Sequence, residues 1–132
     1  MQPSPELVLE PPVKVATRVL IADDDDAVRT VISQVLSDEG LDVVGVARDG
    51  IEAVALALVL RPGTVVLDIR MPGLGGLEAA KQIHSVDSNI RLVMLSAYDD
   101  PTLQHEAQAV GASRFLVKGC ALADLIEAVT GL

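Results

Sequence analysis

The chain has 132 residues, enough for one domain with one core and too few for two domains of ordinary size. Half of it is apolar but only 2% is aromatic, so Val, Leu, Ile and Ala must build the core, as suits buried parallel strands flanked by helices. With 19 acidic against 10 basic residues and a formal charge of -9, most of the surface repels nucleic acid, so direct nucleic acid binding by this chain is not expected.

Residues 1–16 carry Pro3, Pro5, Pro11 and Pro12, too closely spaced for a helix or a central strand, and read as a flexible Pro-rich leader. They hold no apolar block long enough for a signal peptide. No segment approaches the ~20 unbroken apolar residues that cross a bilayer, so no membrane partner is expected. The lone cysteine, Cys120, rules out an internal disulfide framework and reads as a small residue near a helix start. The expectation is a cytoplasmic protein whose folded domain occupies residues 17–132.

From Thr17 onward, short β-branched apolar runs alternate with segments of helical spacing. Arg18 to Ala22 is the first strand and stops at four aspartates, Asp23 to Asp26. Val28, Val31, Ile32, Val35 and Leu36 then repeat at helical spacing until Gly40, a helix stop. The pair recurs as a strand from Asp42 to Ala47 and a helix from Gly50 to Leu60, halted at Arg61-Pro62-Gly63. Thr64 to Leu67 runs into Asp68 and a glycine-rich loop, with a helix from about Leu77 to Ser85. Ile90 to Leu95 precedes a helix from about Pro101 to Val110. Arg114 to Val117 is the fifth strand, and Leu122 to Thr130 the last helix.

Five strand-helix pairs call for an α/β fold: one doubly wound five-stranded parallel sheet with helices on both faces. Such a sheet places its site at the carboxyl ends of the strands. Those ends are polar: Asp23 and Asp24 after the first strand, Asp68 after the third, Ser96 after the fourth and Lys118 after the fifth. Three converging carboxylates repel one another unless cations compensate them, and a hard divalent ion with oxygen ligands, Mg²⁺, suits them. Lys118 supplies a fixed ammonium, and Ser96 a hydroxyl with the reach to bond a phosphate oxygen. These parts describe phosphoryl transfer with a carboxylate as nucleophile.

Four ordered motifs, spanning about Arg18 to Leu132, resemble the receiver domains of two-component response regulators. They are Val19-Leu20-Ile21-Ala22-Asp23-Asp24, Val66 to Gly73 around Asp68, Leu95-Ser96-Ala97, and Gly111-Ala112 through Phe115-Leu116-Val117-Lys118. The resemblance implies a flavodoxin-like (βα)5 fold and a phosphoacceptor switch rather than an enzyme. By the same resemblance Asp68 takes the phosphoryl group from a sensor histidine kinase or phosphotransfer protein. Asp24 and Asp68 ligate Mg²⁺ directly, the backbone carbonyl of Arg70 completes the protein's share, and Asp23 acts mainly through water. Lys118 contacts the phosphoryl group, Ser96 is drawn toward it, and the Phe115 rotamer follows. The implied output is a changed surface for a downstream effector protein or domain, with homodimerisation on phosphorylation as one response. Arg70 and Tyr98 occupy positions where the family tunes the lifetime of the acyl phosphate.

Three positions depart from the family pattern. Gly75 replaces an aspartate, Ser96 stands for the commoner threonine, and Gly119 follows Lys118 where proline, often with a cis bond, is usual. Asp25 and Asp26 read as helix-capping residues, and His84 and His105 as solvent-facing ones. Two other readings compete: a receiver piece of a longer DNA-binding transcriptional regulator, and a Mg²⁺-dependent phosphatase or nucleotide-binding α/β protein. The second is weakened because carboxylates fill the place of a Gly-rich phosphate loop after the first strand.

Overall fold

A computed structural model describes residues 16–132; the proposed leader falls almost wholly outside the described residues. Five strands and five helices alternate: β1 (Arg18–Ala22), α1 (Asp26–Asp38), β2 (Asp42–Ala47), α2 (Gly50–Leu60), β3 (Thr64–Asp68), α3 (Gly76–Val86), β4 (Arg91–Ser96), α4 (Pro101–Ala109), β5 (Arg114–Val117) and α5 (Leu122–Thr130). All neighbouring strands are parallel, in the order β2-β1-β3-β4-β5. The chain therefore moves outward from β1 to β2, then returns to the other side of β1 to lay down β3. That reversal opens a crevice at the carboxyl ends of β1 and β3.

Strand alternation divides the core into two layers. Leu20, Val65, Leu67, Leu92 and Met94 face Ala53 and Ala57 of α2, Ala79, Ala80 and Ile83 of α3, and Ala107 of α4. Val19, Ile21, Val66, Val93 and Leu95 face Leu36 of α1 and Leu125, Ala128 and Val129 of α5. The aliphatic composition explains the small helix residues: β-branched strands fill the layer, and alanines let α2, α3 and α4 lie close. On the α5 side, buried Thr64 donates its hydroxyl to the Val129 carbonyl at 2.8 Å, tying the base of β3 to the last helix.

Caps set the helix starts. Asp25 accepts from the backbone N–H of Ala27 at 2.9 Å and of Val28 at 3.3 Å, while Asp26 lies in the first turn of α1. Asp49 does the same for α2, accepting from Glu52 N–H at 2.8 Å. Element bounds differ from those read in the sequence by one residue in places. β4 starts at Arg91 rather than Ile90, and α3 runs from Gly76 to Val86.

His84 corrects one expectation. It does not simply face solvent: its ring packs against Gly111, where a Cβ would lie 2.8 Å from ring atoms, and its Nδ1 is buried without a hydrogen-bond partner. An outward position on α3 became half-buried because the turn after α4 folds across it. His105 is exposed as expected.

Candidate functional site

Each candidate side chain stands at the end of a buried strand. Asp68 is the last residue of β3, which is buried along its whole length, and its carboxylate is 5% exposed. Asp23 follows β1 and is 1% exposed, whereas Asp24 is open to solvent. One carboxylate oxygen each from Asp23, Asp24 and Asp68 lie within 4.8 Å of one another, a group that could hold a metal ion. Lys118, just beyond β5, reaches across β4 so that its Nζ lies 2.8 Å from Asp23 Oδ2 and 3.3 Å from Asp68 Oδ2.

The local backbone holds these carboxylates in place. Asp23 Oδ1 accepts from Asp25 N–H at 2.9 Å, and Asp68 Oδ1 from Arg70 N–H at 3.3 Å. Arg29 was not singled out in the sequence, yet its guanidinium donates to the Asp23 carbonyl at 2.8 Å and to Asp26 Oδ1 at 2.9 Å, clamping the acidic loop to α1. Its signal was the spacing of an acid and an arginine one helical turn apart. The loop after Asp68 folds back tightly, and Gly76 N–H donates to the Ile69 carbonyl at 2.8 Å. A Cβ at Gly76 would collide with the Asp68 carbonyl oxygen, so this position has no room for a side chain.

Charge is not balanced among these groups. Burial first, then the Asp23 charge, push the Asp68 carboxyl from its ordinary 3.8 up to about 6, against the opposing pull of Lys118 and of the Arg70 N–H. For Lys118, burial works to lower the ammonium's pKa, but Asp23 and Asp68 outweigh it and the net direction is upward. One ammonium thus serves two buried carboxylates. Asp23 Oδ2 takes the closer contact with the ammonium, 2.8 Å against 3.3 Å for Asp68 Oδ2. Three carboxylates gathered within 4.8 Å of one another around a single ammonium are the donor set a hard divalent cation takes.

Ser96 is at the end of β4, in the strand between Asp68 and Lys118, but its hydroxyl is engaged elsewhere. Ser96 Oγ donates to the Tyr98 carbonyl at 2.7 Å and accepts from Tyr98 N–H at 2.9 Å. The Arg70 guanidinium lies 5.4 Å from the centre of the Tyr98 ring, joining the loops after β3 and β4 by a cation–π contact. Phe115 on β5 packs against the core layer of α2, α3 and α4, away from the carboxylates. Among the described residues no peptide bond is cis; Gly119 takes φ +90°, so a glycine-specific left-handed backbone carries the turn after Lys118. Burial, then Asp124, push the Cys120 thiol up, away from thiolate chemistry. An apolar hollow of about 420 Å³ between α1 and α5 shares only Lys118 with the acidic edge.

Comparison with known proteins agrees with this geometry. A family profile described as response regulator receiver domain matches residues 19–130. The response regulator GacA of Pseudomonas viridiflava is 37% identical over 113 residues, 85% of this chain and 53% of GacA. The transcriptional regulatory protein PdtaR of Mycobacterium tuberculosis is 39% identical over 115 residues, 87% of this chain and 56% of PdtaR. The chain therefore spans about half the length of these relatives. Among solved structures, the receiver domain of the response regulator NarL from Mycobacterium tuberculosis superposes with a TM-score of 0.84 at 33% identity, covering 88% of this chain and 94% of that one. CheY of Borrelia burgdorferi, in a CheX-CheY-BeF3-Mg complex, gives 0.81 at 31%, covering 87% of each. The five-stranded order, the acidic strand ends and these matches together place the chain in the response regulator receiver domain family.

Proposed function

We propose that this receiver domain is a phosphoacceptor switch in which Asp68 takes a phosphoryl group from a sensor histidine kinase or phosphotransfer protein. The observation that carries the reading is the placement of Asp68 Oδ2 3.3 Å from Lys118 Nζ, with Asp23 and Asp24 completing a three-carboxylate cluster. A carboxyl group titrating near 6 is ionised at neutral pH yet more basic than an ordinary aspartate, which favours it as nucleophile. A carboxylate oxygen of Asp68 attacks phosphorus, the bond from phosphorus to the donor nitrogen or oxygen breaks, and the leaving group carries that electron pair away. Lys118 stabilises the charge on the transferred oxygens and remains paired with Asp23.

Mg²⁺ fits the same residues. Asp24 and Asp68 would hold it directly, the Arg70 carbonyl would add a ligand, and Asp23 would act from the second layer while paired to Lys118. When bound, the ion neutralises charge on the carboxylates and on the incoming phosphoryl oxygens. The CheY complex carrying BeF3 and Mg supports this reading by similarity.

Ser96 must leave the Tyr98 backbone to reach a phosphoryl oxygen, so its two hydrogen bonds mark the unphosphorylated arrangement. Phe115 then follows, and the altered α4–β5 surface is offered to an effector protein or domain. Relatives about twice the length of this chain favour an attached output segment, including a DNA-binding one, as the second reading. Pairing of phosphorylated copies is a further proposed response, and the cytoplasm the proposed compartment. Among the described residues no helix is long and apolar enough to cross a membrane.

The test is intact mass after incubation with Mg²⁺ and a small acyl phosphate or phosphoramidate. One added phosphoryl group on the wild type, and none on Asp68→Asn, is the expected result. Equal labelling of both proteins overturns the assignment.

A further inference from the structure

The three carboxylates of the acidic edge are held in different ways. Asp68 ends a strand paired on both sides, so the sheet fixes its backbone. Asp23 is buried and tied at several atoms: its N–H donates to the Ala47 carbonyl at 3.1 Å, its Oδ1 accepts from Asp25 N–H, and its Oδ2 meets Lys118. Asp24 is exposed and lies beyond β1, and among the described residues neither its backbone nor its side chain makes a hydrogen bond. Its carboxylate is therefore placed by the two peptide units that flank it. Asp23 Oδ1 holds the later one, through Asp25 N–H. The earlier one is held by Arg29, whose guanidinium donates to the Asp23 carbonyl at 2.8 Å. A peptide unit is planar, so pinning that carbonyl fixes the plane from which the Asp24 Cα departs.

We propose that Arg29 is a positioning residue for the divalent cation: by holding the Asp23–Asp24 peptide it keeps the Asp24 carboxylate beside Asp68. This rests on the reading of Asp24 and Asp68 as the direct Mg²⁺ ligands. The burial of Arg29 supports the role. Its side chain is only 11% exposed, whereas Asp26, the carboxylate it pairs with, is 91% exposed. An ion pair with so exposed an acid offsets little of the cost of holding a guanidinium out of water. The bond that Arg29 makes in a sheltered place is the one to the Asp23 carbonyl, to which no backbone N–H donates among the described residues. Groups that orient a metal's ligands without touching the metal commonly change its affinity by about 10- to 100-fold when removed. Charge and position predict opposite signs here. A guanidinium at this edge repels a second cation, so if Arg29 acted only as a charge, its removal would tighten Mg²⁺ binding. If it acts by holding the peptide, its removal lets Asp24 swing and weakens binding.

Titration of the full chain with Mg²⁺ alone, followed by NMR of the backbone amides and without any phosphodonor, tests the proposal. Arg29→Met should raise the Mg²⁺ dissociation constant about tenfold. Arg29→Lys, which keeps a donor for the Asp23 carbonyl, should recover most of that loss. Asp26→Asn, which breaks only the exposed ion pair, should stay within about twofold of the wild type. In phosphate uptake from a small acyl phosphate, Arg29→Met should need about ten times more Mg²⁺ for half its maximal rate and then reach a rate close to the wild type's. A purely structural arginine would lower the unfolding free energy and leave the dissociation constant of the folded protein unchanged; that result, or tighter binding by Arg29→Met, overturns the proposal. Asp24→Asn separates the two levels of the argument. If it binds Mg²⁺ as the wild type does, the ligand reading fails and this proposal with it. If it loses Mg²⁺ while Arg29→Met binds normally, only the positioning role fails. Circular dichroism checks that the variants are folded, and Arg29→Gln, shorter and uncharged, replaces Arg29→Met if that variant is not.

Discussion

The carboxyl edge of the sheet and the outer face of α2 depart from ordinary protein surfaces in opposite directions. At the edge, charge is concentrated and buried: Asp23 and Asp68 are nearly inaccessible and share one ammonium. On α2, apolar side chains stand in solvent along a whole helix. Both arrangements cost free energy in the isolated chain, the first as like charge held out of water, the second as apolar surface left in it. The difference lies in what a substitution does. At the edge, removing one partner strands a buried charge; on α2, replacing an exposed apolar residue with a polar one leaves the fold as it was.

Lys118→Met should show the largest effect. It strands Asp23 and Asp68 without their cation, so phosphate uptake falls on the order of 100-fold. Because Lys118 is partly exposed, the accompanying loss of stability in metal-free buffer is discounted to about 1–3 kcal/mol, read by urea unfolding. Added Mg²⁺ should restore part of that stability but not the uptake rate.

The second break comes from pH. Asp68 rises from 3.8 to about 6 on folding, so the folded state binds its proton more tightly. The ionised form opposes folding, so this group's relative stabilisation is complete below about pH 4 and lost as pH rises through 6. In metal-free buffer the wild type should therefore lose up to about 3 kcal/mol relative to Asp68→Asn between those limits. A stability difference flat across pH 4 to 7 would contradict the burial argument for Asp68.

Metal should offset most of that loss. At a Mg²⁺ concentration about 100 times its dissociation constant, the wild type should gain roughly 2.7 kcal/mol, and Asp24→Asn much less. The smallest effect sits on α2. Val59→Glu should change the unfolding free energy by no more than about 0.5 kcal/mol while leaving phosphate uptake at the wild-type rate. A large loss of stability would show that the residue is packed within the monomer.

Much of this was legible in the sequence because the fold writes its site as interruptions. Apolar runs that stop at Asp23, Asp68, Ser96 and Lys118 announce strand ends, and a parallel sheet gathers those ends on one edge. Capping by Asp25 was legible for the same local reason. What depends on tertiary packing was not. Nothing in the run Leu95-Ser96-Ala97-Tyr98 tells that the serine hydroxyl bonds the tyrosine backbone rather than the site. His84 lies on the outer side of α3 by periodicity, and only the turn at Gly111 half-covers it. On α2, periodicity fails outright: where every face is apolar, spacing cannot tell the side against the sheet from the side in water.

The most direct measurement is chemical trapping of the phosphorylated residue. After reaction with Mg²⁺ and a small phosphodonor, borohydride reduction converts an aspartyl phosphate to homoserine, which peptide mass spectrometry locates. Homoserine at position 68, and at neither 23 nor 24, is the predicted result. Homoserine at Asp23 or Asp24, or at no aspartate despite measurable uptake of phosphate, would contradict the assignment of Asp68.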